Sequence, residues 1–129
     1  IGMKYCKEIH YCAYGDEYFG ICFPNIVGGM EIRNAFFKGC HGEKSLSLIP
    51  ISKEKHTESC CVFEGFMDFL SYQTLLRNSK DEITQPYPSD CIVLNSTSIV
   101  HKAIPFMEVY NHVYCYLDND DAGLRAFSV

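Results

Sequence analysis

The chain has 129 residues, 47% of them hydrophobic and 21% charged; that is enough for one compact domain with an appended subdomain, and the composition is neither disordered nor membrane-embedded. Its formal net charge of -5 argues against holding nucleic acid by bulk electrostatics, which needs many lysines and arginines to displace counterions, so such a ligand must be gripped locally or by another domain. No apolar run approaches the roughly 18 residues needed to cross a bilayer, and the opening IGMKYCKEIH lacks the apolar stretch of a secretory signal; both point to the cytoplasm and to no membrane partner.

In chain order, residues 1–50 read as a small antiparallel β unit. EYFGICF, PNIVGG, MEIRN and SLSLI are short β-like runs separated by turn residues. Phe19, Ile21 and Phe23 alternate as one strand face, and Asn25 with Gly28 and Gly29 supplies the backbone freedom of a hairpin connection. Residues 51–59, ISKEKHTES, are polar without apolar periodicity and read as a linker.

Residues 60–129 change to strand, helix, strand, helix, strand, the pattern of parallel βαβ units with flanking helices. The first strand spans 60–63. Gly65 turns the chain, and Phe66, Phe69, Tyr72 and Leu76 recur at helical spacing, so one helix face packs on the sheet. A second strand is expected over 91–94. Asn95, Ser96, Thr97 and Ser98 then offer oxygens to cap a helix containing Ile99, Ala103 and Ile104, at whose Pro105 a new turn or a kink is expected. HVYCYL is the third strand, ending abruptly at DNDDAG. The residues beyond Asp120 are too few to complete another βα unit, so the chain is expected to be a segment of a longer protein.

The chemistry sits at these strand ends. Glu64 ends the first strand, and Asp118, Asp120 and Asp121 end the third. In open parallel sheets ligands bind beside the carboxyl ends of the strands, so these carboxylates are expected to converge despite their distance in sequence. Clustered carboxylates repel unless a cation or protons neutralise them, and hard oxygens with room for water are what Mg²⁺ prefers. Alone, DNDDAG is also an ordinary polar turn with an aspartate helix cap.

EGFMDFLSY resembles the first motif of the Toprim family, a glutamate followed by glycine, and YLDNDDAG resembles the second, paired aspartates followed by Ala-Gly. LNSTS is similar to the polar loop that bacterial primases carry after the middle strand. FPNIVGGMEIRNAFFKG resembles the strand-rich segment that precedes Toprim in primase-like proteins of mobile elements. The resemblance implies a Toprim-type, Rossmann-like α/β fold. It implies that Glu64, Asp118 and Asp120, with Asp121 adding charge, hold one or two Mg²⁺ or Mn²⁺ ions, while Gly65 and Gly123 let the backbone turn beside them. Glu64 is read either as a metal ligand or as a general acid or base.

The activity implied is that of a DNA primase, a nucleotidyltransferase joining nucleoside triphosphates on a single-stranded DNA template, with a helicase engaged through flanking domains. A Toprim nuclease using the same carboxylates, and a non-catalytic nucleic-acid or partner-binding module, are the alternatives. The zinc-binding and helicase-interaction domains that usually flank such primases are not in this sequence.

Arg33, Lys38 and Lys44 are candidates to touch phosphate or template. Asp68, close to Glu64, is read as a first-turn residue that complements the helix dipole or orients the motif loop. Cys6, His10, Cys12 and Cys22 fit no paired zinc-ligand spacing, and the eight cysteines are read as reduced, partly buried thiols.

Overall fold

The structure is a computed structural model that describes residues 2–51, 57–78 and 89–118. The chain divides into two compact units, Ile1–Lys44 and Ser45–Val129.

The first unit opens with a single helical turn, α1 (Gly2–Tyr5), followed by β1 (Lys7–Ala13), β2 (Asp16–Pro24), β3 (Met30–Arg33) and β4 (Lys38–His41). The four strands form one antiparallel sheet in sequential order. The turn between β2 and β3 is made by the residues that the sequence singles out. The Asn25 side-chain oxygen accepts the backbone N–H groups of Val27 and Gly29, and Gly28 sits at φ +85°. At Gly29 an added Cβ would lie 2.0 Å from the Glu43 carbonyl oxygen, so only glycine lets the two backbones approach.

The second unit holds β5 (Ser47–Ile49), β6 (Ser59–Phe63), α2 (Phe66–Asn78), β7 (Asp90–Val93), a short 3₁₀ turn (Thr97–Ile99), α3 (Val100–Met107) and β8 (His112–Tyr116). Its sheet runs β5-β7-β6-β8; β6 is parallel to both neighbours and β5 is antiparallel to β7. The sheet is therefore mixed rather than wholly parallel. β6 and β7 are buried at every position, as strands covered on both faces must be.

Alternation along β6 assigns the two faces. Cys60 and Val62 pack with Leu46, Ile92, Leu94, Val100 and Ala103, so α3 covers that side. Phe63 points the other way and meets Phe69 and Tyr72 of α2 at ring-centroid distances of 5.8 and 5.1 Å.

Three expectations need correction. SLSLI, read with the first unit, provides β5 of the second sheet, because its hydrogen-bonding partner is β7, more than forty positions later in the chain. The two compact units meet at 44/45, not within residues 51–59. Pro105 begins no new turn, since α3 runs through it to Met107. In so short a helix the missing N–H forfeits one bond, to the carbonyl four residues earlier.

Candidate functional site

Three neighbouring parallel strands deliver polar residues to one end of the second sheet. Glu64 is the first residue beyond β6, Asp118 the second beyond β8 and Asn95 the second beyond β7. Phe63 lies opposite both Tyr116 and Val93, so the three carboxyl ends are level. Adjacent strands are about 4.8 Å apart, which brings the backbones bearing Glu64 and Asp118 out of the sheet side by side.

An aromatic cluster under this edge holds the strand ends in place. Phe63 stacks on Tyr116 with 5.2 Å between ring centroids and 13° between planes, and Tyr72 lies 5.2 Å from Tyr116. Burial first, and the neighbouring Tyr116 second, push the Tyr72 phenol well above its ordinary range, so it remains neutral. Glu64 is half-buried with its Oε1 enclosed, whereas Asp118 is exposed.

Gly65 accepts the N–H of Phe69 at 3.2 Å and so opens α2. It does not adopt a positive φ, and an added Cβ would meet Asp68 Oδ2 at an ordinary 3.6 Å; the turn itself does not demand glycine here. Asp68 is exposed in the first turn of α2, the position from which a carboxylate complements the helix dipole.

Beyond β7, Asn95 stands at φ +65°, a left-handed conformation that asparagine tolerates better than most residues. Its buried amide donates to the Ser45 carbonyl and to Ser47 Oγ, both at 3.0 Å. Asn95 therefore ties the loop after β7 to the start of β5, and Ser96, not Asn95, is the residue whose hydroxyl caps the following turn, by accepting the Ser98 N–H. Reading 95–98 as a set of interchangeable caps missed this role. An asparagine directly after the apolar run 91–94 was the available signal.

The remaining candidates separate. Asp120, Asp121 and Gly123 lie outside the described residues. Arg33 and Lys38 face each other across β3 and β4 in the first unit. Lys44, a phosphate candidate by sequence, is paired with Glu31, its Nζ 2.8 Å from Oε1. The reason is burial: Glu31 is 4% exposed, and an ionised carboxylate so placed needs a cation.

All eight cysteines are free. His10 and Cys12 share one face of β1, while Cys22, opposite Lys7, belongs to the other, so these residues do not share a face as ligands would. Cys60 and Cys91 are pushed up to about 12, chiefly by burial and then by Cys61, and are inert core thiols at neutral pH.

Among the described residues no group of three or more His, Cys, Asp or Glu converges on a metal position. The donors at the strand ends nevertheless suit Mg²⁺ or Mn²⁺ in kind. Glu64 and Asp118 are hard carboxylate oxygens on adjacent strands, with Asp118 open to solvent, and these ions take few carboxylates and keep several waters.

Over residues 61–128, more than half of the chain, the sequence matches the family described as Toprim-like. The chain belongs to the Toprim-like family. Its Toprim unit is thus a metal-binding type of domain related to nucleic acids, found in enzymes such as primases and nucleases. Residues 1–42, in the antiparallel unit, match a domain of unknown function, DUF8464. No curated protein and no solved structure matches the chain. Among the described residues of the Toprim unit and its companion, no helix is long and apolar enough to cross a membrane.

Proposed function

We propose that the chain is the core of a metal-dependent nucleotidyltransferase of the DNA primase type, joining nucleotides on a single-stranded DNA template. The observation that carries this reading is the emergence of Glu64 and Asp118 from adjacent parallel strands, level with each other, in a Toprim-like unit. The primase branch is favoured over the nuclease branch by FPNIVGGMEIRNAFFKG, which resembles the segment preceding Toprim in primase-like proteins of mobile elements.

In this reading Glu64, Asp118 and Asp120 hold Mg²⁺ or Mn²⁺, with Asp121 adding negative charge nearby. The metal supplies charge neutralisation for nucleotide phosphates and for the departing pyrophosphate. The chain's own part is positional. The stacked Phe63–Tyr116 pair fixes where the two carboxylates leave the sheet, and Asn95 fixes the neighbouring loop. Positioning contributes much of the catalysis in phosphoryl transfer, so flanking domains that hold template and nucleotides, and that engage a helicase, are expected to raise the rate well above that of this chain alone.

The test offers the full-length protein single-stranded DNA, all four nucleotides and Mn²⁺. Short primers should form, and Asp118→Asn or Asp120→Asn should lower synthesis by about 100-fold or more. Calorimetric titration should show Mn²⁺ binding that Asp118→Asn weakens. Metal-dependent cleavage of the DNA without synthesis would move the assignment to a nuclease, and unaltered metal binding in Asp118→Asn would refute the site.

A further inference from the structure

The Toprim motifs leave unexplained an ordered, solvent-facing aromatic loop in the first unit. β3 and β4 are joined by residues 34–37, with Arg33 directly opposite Lys38 at the base of the loop. The Asn34 side-chain oxygen accepts the N–H groups of Phe36 and Phe37, both at 2.8 Å, and its amide nitrogen donates to Tyr11 Oη and to the Phe19 carbonyl. Four bonds from one side chain thus lock the loop to the β1–β2 hairpin. What it displays is apolar, for Phe36 is 92% exposed and Phe19, beside the anchor, is 64% exposed.

Neither the phenylalanines nor the basic pair are placed there for stability. An exposed ring gains almost nothing from burial, and like charges directly opposite on a sheet repel. Among the described residues neither Arg33 nor Lys38 forms an ion pair within 4 Å, and Glu31, on the same strand as Arg33, is already engaged by Lys44. Residues 1–44 carry five Lys or Arg and five Asp or Glu, so the acidic excess of the chain lies elsewhere. Aromatic rings open to solvent beside unpaired cations are what a flexible phosphodiester strand with unstacked bases recognises. The bases stack on the rings and the phosphates meet the cations. A duplex, whose base faces are already covered, offers no such contact.

We infer that the β3–β4 loop and the adjoining strand face form a binding platform for single-stranded nucleic acid, with Phe36 and Phe19 stacking on bases and Arg33 and Lys38 on the phosphates. This rests on the proposed nucleic-acid function and deepens it by assigning the strand to the first unit, and it does not depend on the metal site.

The experiment uses the whole chain and a fluorescein-labelled oligothymidylate of about 12 nucleotides, followed by anisotropy with EDTA present so that no metal contributes. Phe36→Ala and Phe19→Ala should each weaken binding about tenfold, and Phe36→Tyr should restore it. The double variant Arg33→Gln/Lys38→Gln should flatten the dependence of log affinity on log salt, between about 50 and about 200 mM, by roughly 1.4. Phe36→Ala should keep the wild-type melting temperature and Mn²⁺ affinity. The inference fails if the wild-type chain does not bind, if Phe36→Ala binds as well as wild type, or if duplex of the same length binds as tightly. It also fails if Phe36→Ala changes only self-association in sedimentation, since the loop would then be a protein contact. Absence of Mn²⁺ binding by the wild-type chain would refute the metal reading and leave the strand-binding comparison standing.

Discussion

The two units spend aromatic residues in opposite ways. In the Toprim unit the buried Phe63 and Phe69 interlock with Tyr72 and the partly exposed Tyr116 under the ends of β6 and β8, where their rings fix the exit of two acidic residues. In the antiparallel unit Phe19 and Phe36 point into solvent, and hydrogen bonds from Asn34 hold the loop that presents them. Charge divides in the same sense, with acids and bases balanced in residues 1–44 and the whole net charge of -5 in the remainder. Rings that are buried stabilise, and rings held out at a cost in ordering entropy are available to a ligand.

The sharpest way to break this comparison is to truncate the same residue type in both units. Phe69→Ala removes a fully buried ring and should cost about 3–5 kcal/mol in urea unfolding of the whole chain, whereas a loss under about 1 kcal/mol would mean that α2 is not firmly packed on the sheet. Phe36→Ala belongs at the other end of the scale, within about 0.5 kcal/mol of wild type.

A second variant asks what holds the end of the Toprim sheet opposite the carboxylates. Asp90 is buried and accepts the Tyr110 hydroxyl at 2.8 Å and the Ile51 N–H at 2.9 Å. Tyr110→Phe removes a donor from a buried carboxylate, and the expected loss of about 1.5–3 kcal/mol would be read from the unfolding midpoint. No change would show that water replaces the phenol freely.

Asn95 permits a paired measurement. Asn95→Gly keeps access to positive φ but loses the bonds to Ser45 and Ser47; Asn95→Ala loses both. The alanine variant should be less stable than the glycine variant by about 1 kcal/mol. Equal stabilities would mean that the left-handed backbone costs nothing there.

The last test is a pH slope. Burial pushes the Cys60 and Cys91 thiols of the folded chain up to about 12, against an ordinary thiol value of 9.0. The unfolded chain therefore loses these protons first as pH rises. Their contribution is complete below about pH 9 and declines between there and about 12, so stability should fall over that window. Cys91→Ala should flatten the fall, as seen in unfolding midpoints at successive alkaline pH values. A slope unchanged by the substitution would assign it to other groups.

Much of the architecture was legible because local patterns carry it. The four-residue apolar run before Glu64 and the run before Leu117 are strands by composition, and Phe66, Phe69 and Tyr72 mark a helix face by spacing. The turn at Asn25, Gly28 and Gly29 was readable for the same reason, since the bonds its Asn25 oxygen accepts lie within five residues. Strand order was not legible. β5 is three residues long, and nothing in SLSLI states that its partner is β7 rather than β4, because pairing partners are chosen by shape and hydrogen bonding across the fold.

The sequence by itself determined the family and the order of its acidic motifs, carboxylates placed after apolar runs in a Toprim-like order, because residue type and spacing are one-dimensional properties. Only the tertiary structure decided which charges are free to act. Lys44 and Arg33 look alike in sequence, yet the buried Glu31 claims Lys44, while Arg33 is left facing Lys38. Burial and cross-strand register, which set the electrostatic value of every charge, exist only once the chain has folded.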